Sequence, residues 1–206
     1  MINMKICQFF IFILFSLEVL CSDGIFVYHA SPIQGLKELI PKASTHGKSW
    51  VYATTNLAVA AAYLGKWSDF DLAQGSCSKE DKIHLVERYQ GAFKEIFGLG
   101  KIKSGSIYKL NSSGFLKNQT SFEMEVVNPS KVKVVEEMMI SLPLDFLKEL
   151  EKKGELDLYY YPNRPMCVPK DDSDLVEKTL RWIKEGKVKT KETLLKKHPH
   201  LAERIK

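Results

Sequence analysis

From Ile25 to Leu64 a β-rich run, a helical pattern, a second β-rich run and a second helical pattern follow one another within about forty residues. Downstream, strand and helix patterns continue without a regular strand–helix–strand rhythm. That lack of rhythm favours an α+β fold with antiparallel pairing over a doubly wound parallel sheet. Ile25 to His29 is the first strand. Ser31 offers an N-cap and Pro32 a first helical position ahead of Ile33, Leu36 and Ile40, and Pro41 stops that helix. Ser49 to Ala53 is the second strand. Thr54 and Thr55 cap a helix in which Leu57, Ala60, Ala61 and Leu64 recur at helical spacing.

The rest of the chain reads in the same way. Trp67 to Lys82 is polar and aromatic and reads as loop. Strands are expected at Ile83–Tyr89, Ser106–Leu110, Phe122–Val127, Val132–Val135 and Leu156–Tyr161, with a glycine-rich stretch, Gly98 to Gly105, between the first two. A helix runs from Ser141 and Pro143 to Lys153 and closes at Gly154. Asp171, Asp172 and Asp174 open another, Leu175 to Glu185, where negative charge complements the helix N-terminus.

The first 21 residues stand apart. Lys5 precedes the apolar run Ile6 to Leu20, which is shorter than the ~20 residues a membrane-spanning helix needs. Small and polar residues follow it. A basic start, a short apolar core and a small-residue exit describe a secretory signal peptide over 1–21, so a secreted or periplasmic protein is expected. Residues 22–140 then form the core, and 141–206 a helical and strand-containing C-terminal extension.

Composition adds one directional clue. Of 206 residues, 45% are hydrophobic and 27% charged, which disfavours disorder, collagen and coiled coil. The net charge of +5 belongs to the tail: Ile183 to Lys206 carries eight basic and three acidic residues, and the remainder is neutral. A solvated amphipathic helix over Thr190–Lys206 accounts for it, with contact to an anionic partner the weaker alternative. Cys77 and Cys167 are the cysteines of the expected mature chain. They form either one disulfide or two small buried side chains. No Cys-x-x-Cys is present, and His198-Pro-His200 reads as a solvated loop, so no metal is expected.

Three short motifs carry the chemistry. Tyr28-His29-Ala30-Ser31 ends the first strand, and Tyr52-Ala53-Thr54 ends the second, with Tyr63 eleven positions after Tyr52. In Phe122 to Pro129, strand alternation puts Glu123 and Glu125 on one face, with Phe122, Met124 and Val126 on the other. In this order the set resembles the His-Tyr-Glu branch of the ADP-ribosyltransferase fold, which contains the poly(ADP-ribose) polymerases. His29-Ala30-Ser31 is similar to that family's His-Gly-Ser, Tyr52-Ala53-Thr54 to its Tyr-Phe-Ala segment, and Tyr63 to its second tyrosine. Glu123 with Val126, Val127, Asn128, Pro129 and Val132 is similar to its glutamate strand. The resemblance spans Ile25 to Val135. Ala30 replaces the family's glycine, and Ala60 stands where the family carries a serine that bonds the nicotinamide amide.

The resemblance implies an ADP-ribosyltransferase-like split antiparallel β-sandwich with flanking helices. It also implies a glycosyltransferase-class reaction in which a nucleophile displaces nicotinamide from NAD. Glu123 would stabilise the developing ribosyl cation, with Glu125 in reserve. His29, assisted by Ser31, would hold the adenosine-side ribose, the Ala30 backbone would contact the carboxamide, and Tyr52 and Tyr63 would sandwich the nicotinamide ring. The expected protein is an exported enzyme, an effector or toxin, acting on a protein or nucleic acid. NAD glycohydrolase activity and a non-catalytic binding module are the alternatives.

Overall fold

The computed structural model describes residues 26–43, 48–78, 82–98, 104–120, 122–187 and 189–205. The segment read as a signal peptide lies outside them. Strand β1 (Phe26–Ser31) is antiparallel to β4 (Ser49–Thr54) on one side and to β7 (Gly105–Asn111) on the other. Beyond β7 lies β9 (Val132–Ile140), edged by the two-residue β2 (Glu38–Leu39). At the opposite end β4 pairs with both β3 (Lys42–Ala43) and β8 (Glu125–Asn128). These seven strands form a curled antiparallel half-barrel. A smaller mixed sheet, β10-β6-β5, comprises β5 (Leu72–Gly75), β6 (Ile83–Glu87) and β10 (Leu156–Tyr159). The α+β expectation holds.

Alternation along the strands sorts side chains between two apolar cores. Val27, Val51, Ala53, Tyr108, Leu110 and Val126 fill the core on one side of the half-barrel. Tyr28 and Ala30 pack on the other core, with the short helices α1 (Leu57–Ala62) and α2 (Ala92–Phe97). Helix α3 (Pro143–Lys152) contributes Leu147 and Leu150 there, and β10 contributes Leu156 and Leu158. Residues on both sides of position 140 therefore share one core.

The structure departs from the sequence expectation at five places. No helix follows Ser31. The Ser31 hydroxyl accepts the Ile33 N–H at 3.1 Å, and Gly35 takes a left-handed φ of 75°. The loop's backbone is satisfied from the sheet instead: the Tyr108 hydroxyl donates to the Ile33 carbonyl at 2.7 Å, and Glu137 accepts the Gly35 N–H at 2.8 Å. Strand β5 lies within the supposed loop Trp67–Lys82, and α2 occupies a stretch to which no element was assigned. The cap of α1 is Asn56, whose Oδ1 accepts the N–H groups of Ala58 and Val59, rather than Thr54 or Thr55. The tail is also no single helix. Helix α5 (Lys189–Lys197) stops at His198, and a 3₁₀ segment, Pro199–Ile205, follows.

That tail is part of the fold. Leu194, Leu201 and Ile205 bury against Phe70 and against Leu175 and Val176 of α4 (Ser173–Lys184). His198, expected in solvent, is 1% exposed, and its Nε2 donates to the Phe70 carbonyl at 2.7 Å. Burial would raise the Asp71 carboxyl, but hydrogen bonds from Lys197 and Ser68 outweigh it and hold the group below its ordinary value. A disulfide joins Cys77 to Cys167 across 90 residues, with 5.3 Å between Cα atoms.

One packing contact gives a direct test. A Cβ on Gly65 would lie 2.3 Å from Phe97 Cε1 and 2.5 Å from Ile96 Cγ2, both buried side chains. Gly65→Ala is expected to destabilise the protein by about 1–3 kcal/mol through overpacking, read as a lowered urea midpoint at unchanged slope.

Candidate functional site

The antiparallel register sets one row of side chains across three strands: Tyr28 of β1 opposite Thr54 of β4, and Thr54 opposite Glu125 of β8. Directly opposed residues of an antiparallel pair share a face. The row borders a cleft of about 300 Å³, walled by Tyr28, His29, Ala30, Tyr52, Ala53 and Thr54 from β1 and β4. Helix α1 and its C-terminal end add Val59, Ala60 and Tyr63, and Phe122 and Glu125 close the remaining side. A second cavity of about 240 Å³ lies next to it, bordered by Ser31, Leu36, Glu38, Lys42 and Trp50. His29 and Tyr52 line both cavities.

These two residues are bonded to each other. The Tyr52 carbonyl can only accept, so His29 Nδ1 carries the proton and donates at 2.7 Å. In the neutral ring Nε2 is then an acceptor. Burial lowers the His29 pKa below its ordinary 6.5, the Tyr52 carbonyl bond opposes that shift, and Lys42 adds to it. The folded state thus resists protonation. Its contribution to stability is complete above pH 6.5 and is lost as the pH falls through and below that value. Between about pH 8 and pH 5, urea titrations should show stability rising with pH, and His29→Gln should remove part of that slope. His198 adds to the slope, since burial also lowers its pKa, against opposing effects of the Phe70 carbonyl and Asp172.

Tyr63 sits at the rim of the cleft, 49% exposed, just past the end of α1. Trp67 stacks on it at 5.6 Å between centroids, 26° between planes, and donates its indole N–H to the Ala62 carbonyl at 2.7 Å. That bond fixes the indole, and the indole in turn limits how Tyr63 can turn. Desolvation at the wall, then Glu125, then Asp69, push the Tyr63 phenol up to about 12. Glu125 therefore acts electrostatically on the tyrosine face of the cleft.

The three motifs meet in one place, but the glutamates divide. Strand β8 begins at Glu125, and residues 123 and 124 form a turn before it. The alternation expected from Phe122 onward therefore does not reach Glu123, which is exposed on that turn, while Glu125 lines the cleft. Phe122 and Met124 also part from Val126, which the alternation placed on their face: they pack on one core and Val126 on the other. His29, Ala30, Tyr52 and Tyr63 all line the cleft, and Ser31 lines the neighbouring cavity. Sequence pattern assigns no role at the site to Trp67, Thr54 or Phe122, yet Thr54 and Phe122 line the cleft and Trp67 stacks on Tyr63. For Trp67 the available signal was a second aromatic residue four positions after Tyr63, just beyond the end of α1.

Comparison with protein-family models, curated proteins and solved structures finds no match to this chain.

Proposed function

We propose that the protein is an exported, NAD-dependent ADP-ribosyltransferase that transfers ADP-ribose to a macromolecular target and releases nicotinamide, its half-barrel being the ADP-ribosyltransferase-like split β-sandwich. One observation carries this reading. A single cleft gathers His29, Tyr52, Tyr63 and a glutamate from four separate segments, and these are the motifs through which the sequence resembles that family.

The chemistry follows from the side chains. NAD is a two-part ligand, and two adjoining cavities share the His29–Tyr52 wall. The Nε2 lone pair of neutral His29 accepts a hydrogen bond from a ribose hydroxyl. Tyr52 and Tyr63 both line the cleft and take the nicotinamide ring between them, and Trp67 stacked on Tyr63 keeps that wall in place. Because Ala60 offers no side-chain hydrogen bond, the carboxamide is held through backbone groups near Ala30. As the glycosidic bond breaks, positive charge develops on the ribose, and the Glu125 carboxylate stabilises it and orients the incoming nucleophile. On this reading Glu125 takes the role that sequence spacing gave to Glu123.

Incubation of the purified protein with adenine-labelled NAD and a cell lysate tests the proposal. Transfer of label to macromolecules with stoichiometric nicotinamide release is expected. Nicotinamide release without transfer would make the protein an NAD glycohydrolase. Absence of NAD binding even at millimolar concentration would remove the assignment altogether.

A further inference from the structure

We propose that Cys77, His84 and Cys167 form a redox-gated site for a zinc-type divalent cation, closed as a disulfide when oxidised and able to take the metal once a dithiol has reduced it. Three separated parts of the chain build the site. Cys77 lies two residues beyond β5, His84 is in β6, and Cys167 is in the loop between β10 and α4. Strand β6 lies between the other two, so His84 stands opposite Gly75 on one side and Asp157 on the other. The imidazole is 5% exposed, and Tyr159 packs edge-on against it at 6.2 Å. A Cβ on Gly75 would lie 3.8 Å from His84 Nε2, so glycine leaves room beside that nitrogen.

One ligand atom from each of the three residues lies within 4.8 Å of the others. Tetrahedral zinc, with Zn–S of about 2.3 Å and Zn–N of about 2.0 Å, separates its ligand atoms by roughly 3.5–3.8 Å. Neither cysteine is buried, so the sulfurs can part to that distance once the bond between them is broken. Two thiolates balance the charge of the ion, the imidazole is the third donor, and the fourth position stays open to water or an external ligand. A second cluster, Asp172, His198 and His200, is as close-set but unsuited to a cation, because Arg88 and Arg164 already bond Asp172.

The balance is simple. The dithiol supplies two electrons and two protons, the S–S bond becomes two thiols, and the reductant leaves as its own disulfide. Metal binding then displaces the two thiol protons, with no change of oxidation state at the ion. The two chain segments, 90 residues apart, would stay joined in oxidising and reducing surroundings alike.

The test uses the full chain, reduced without oxygen by a trialkylphosphine that does not compete for metal, and titrated with Co²⁺. An intense near-ultraviolet thiolate-to-cobalt band saturating at one equivalent is expected, displaced by Zn²⁺ and absent from the oxidised protein. X-ray absorption of the zinc form should show two sulfur donors and a nitrogen donor. Cys167→Ser and His84→Ala should each weaken binding at least as much as the ~10-fold that outer-shell changes cost, with circular dichroism confirming that each variant is folded. No band in the reduced wild type, a band unchanged in Cys167→Ser, or a zinc spectrum without a nitrogen donor overturns the proposal. The wild-type spectra decide it even where a variant fails to fold.

Discussion

Glu125→Gln is expected to slow nicotinamide release from NAD by about 10²- to 10⁴-fold, the range typical of losing a positioned acid–base group, while Glu123→Gln stays near the wild-type rate. The substitution keeps the size of the side chain and removes its charge. The effect should therefore fall on kcat rather than KM, because charge on the ribose develops only as the bond breaks. Two features of the cleft support the choice. Among the described residues Glu125 is the carboxylate on its wall, and it stands in the row formed with Thr54 and Tyr28. It also helps to raise the Tyr63 phenol, so the glutamine variant should lower that pKa from about 12, which ultraviolet titration of tyrosinate can follow. A steady-state comparison of the two variants decides the matter. Loss of activity in Glu123→Gln with Glu125→Gln unaffected would reverse the assignment.

Asp172→Ala is expected to cost about 3–5 kcal/mol of stability, the toll of leaving a buried charge without its partner. Arg88 and Asp172 are each 4% exposed in their side chains, and Arg164 is 2% exposed. Arg164 donates to Asp172 Oδ1 at 2.5 Å and to the Pro169 carbonyl at 2.8 Å, and Arg88 donates to the same Oδ1 at 3.3 Å and to Asp174. Removing Asp172 deprives two buried guanidiniums of a shared carboxylate. Alanine is also poorly suited to the left-handed φ of 55° at this position, whereas asparagine tolerates it. Asp172→Asn should therefore lose less, and the difference between the variants separates charge from backbone. Asp174 is 37% exposed, so Asp174→Asn should cost well under half as much. Urea unfolding of the three variants measures all of this. An Asp172→Ala value below about 1 kcal/mol would show that the network is replaceable.

The readable elements were those whose signal is local. Strands β1, β4, β6 and β7 announced themselves by β-branched and aromatic runs, and α3 by Pro143 at its start and Gly154 at its end. The failures share a cause. The Ser31-Pro32 segment has a helix's capping pattern, yet Tyr108 and Glu137, more than 70 residues away, satisfy its backbone in an open loop. Strand β5 has no clear alternation, and it forms because β6 offers a pairing edge. His198 lies in a polar, charged stretch and is buried only because α5 and the 3₁₀ segment fold back onto Phe70. At the cleft, the residue types and their order were legible. The turn that divides Glu123 from Glu125 was not, because the start of β8 depends on its pairing with β4.

By itself the sequence determined the α+β class, the basic tail and the His29, Tyr52 and Tyr63 motifs, since each rests on residue type or short-range spacing. Only the tertiary structure decided that the tail is docked rather than solvated, that Cys77 reaches Cys167, that Trp67 backs Tyr63, and that Glu125 lines the cleft. Each of those outcomes depends on strand register or on which distant segment covers a surface. Such choices are made by the summed burial of the whole chain, and no short window of sequence contains them.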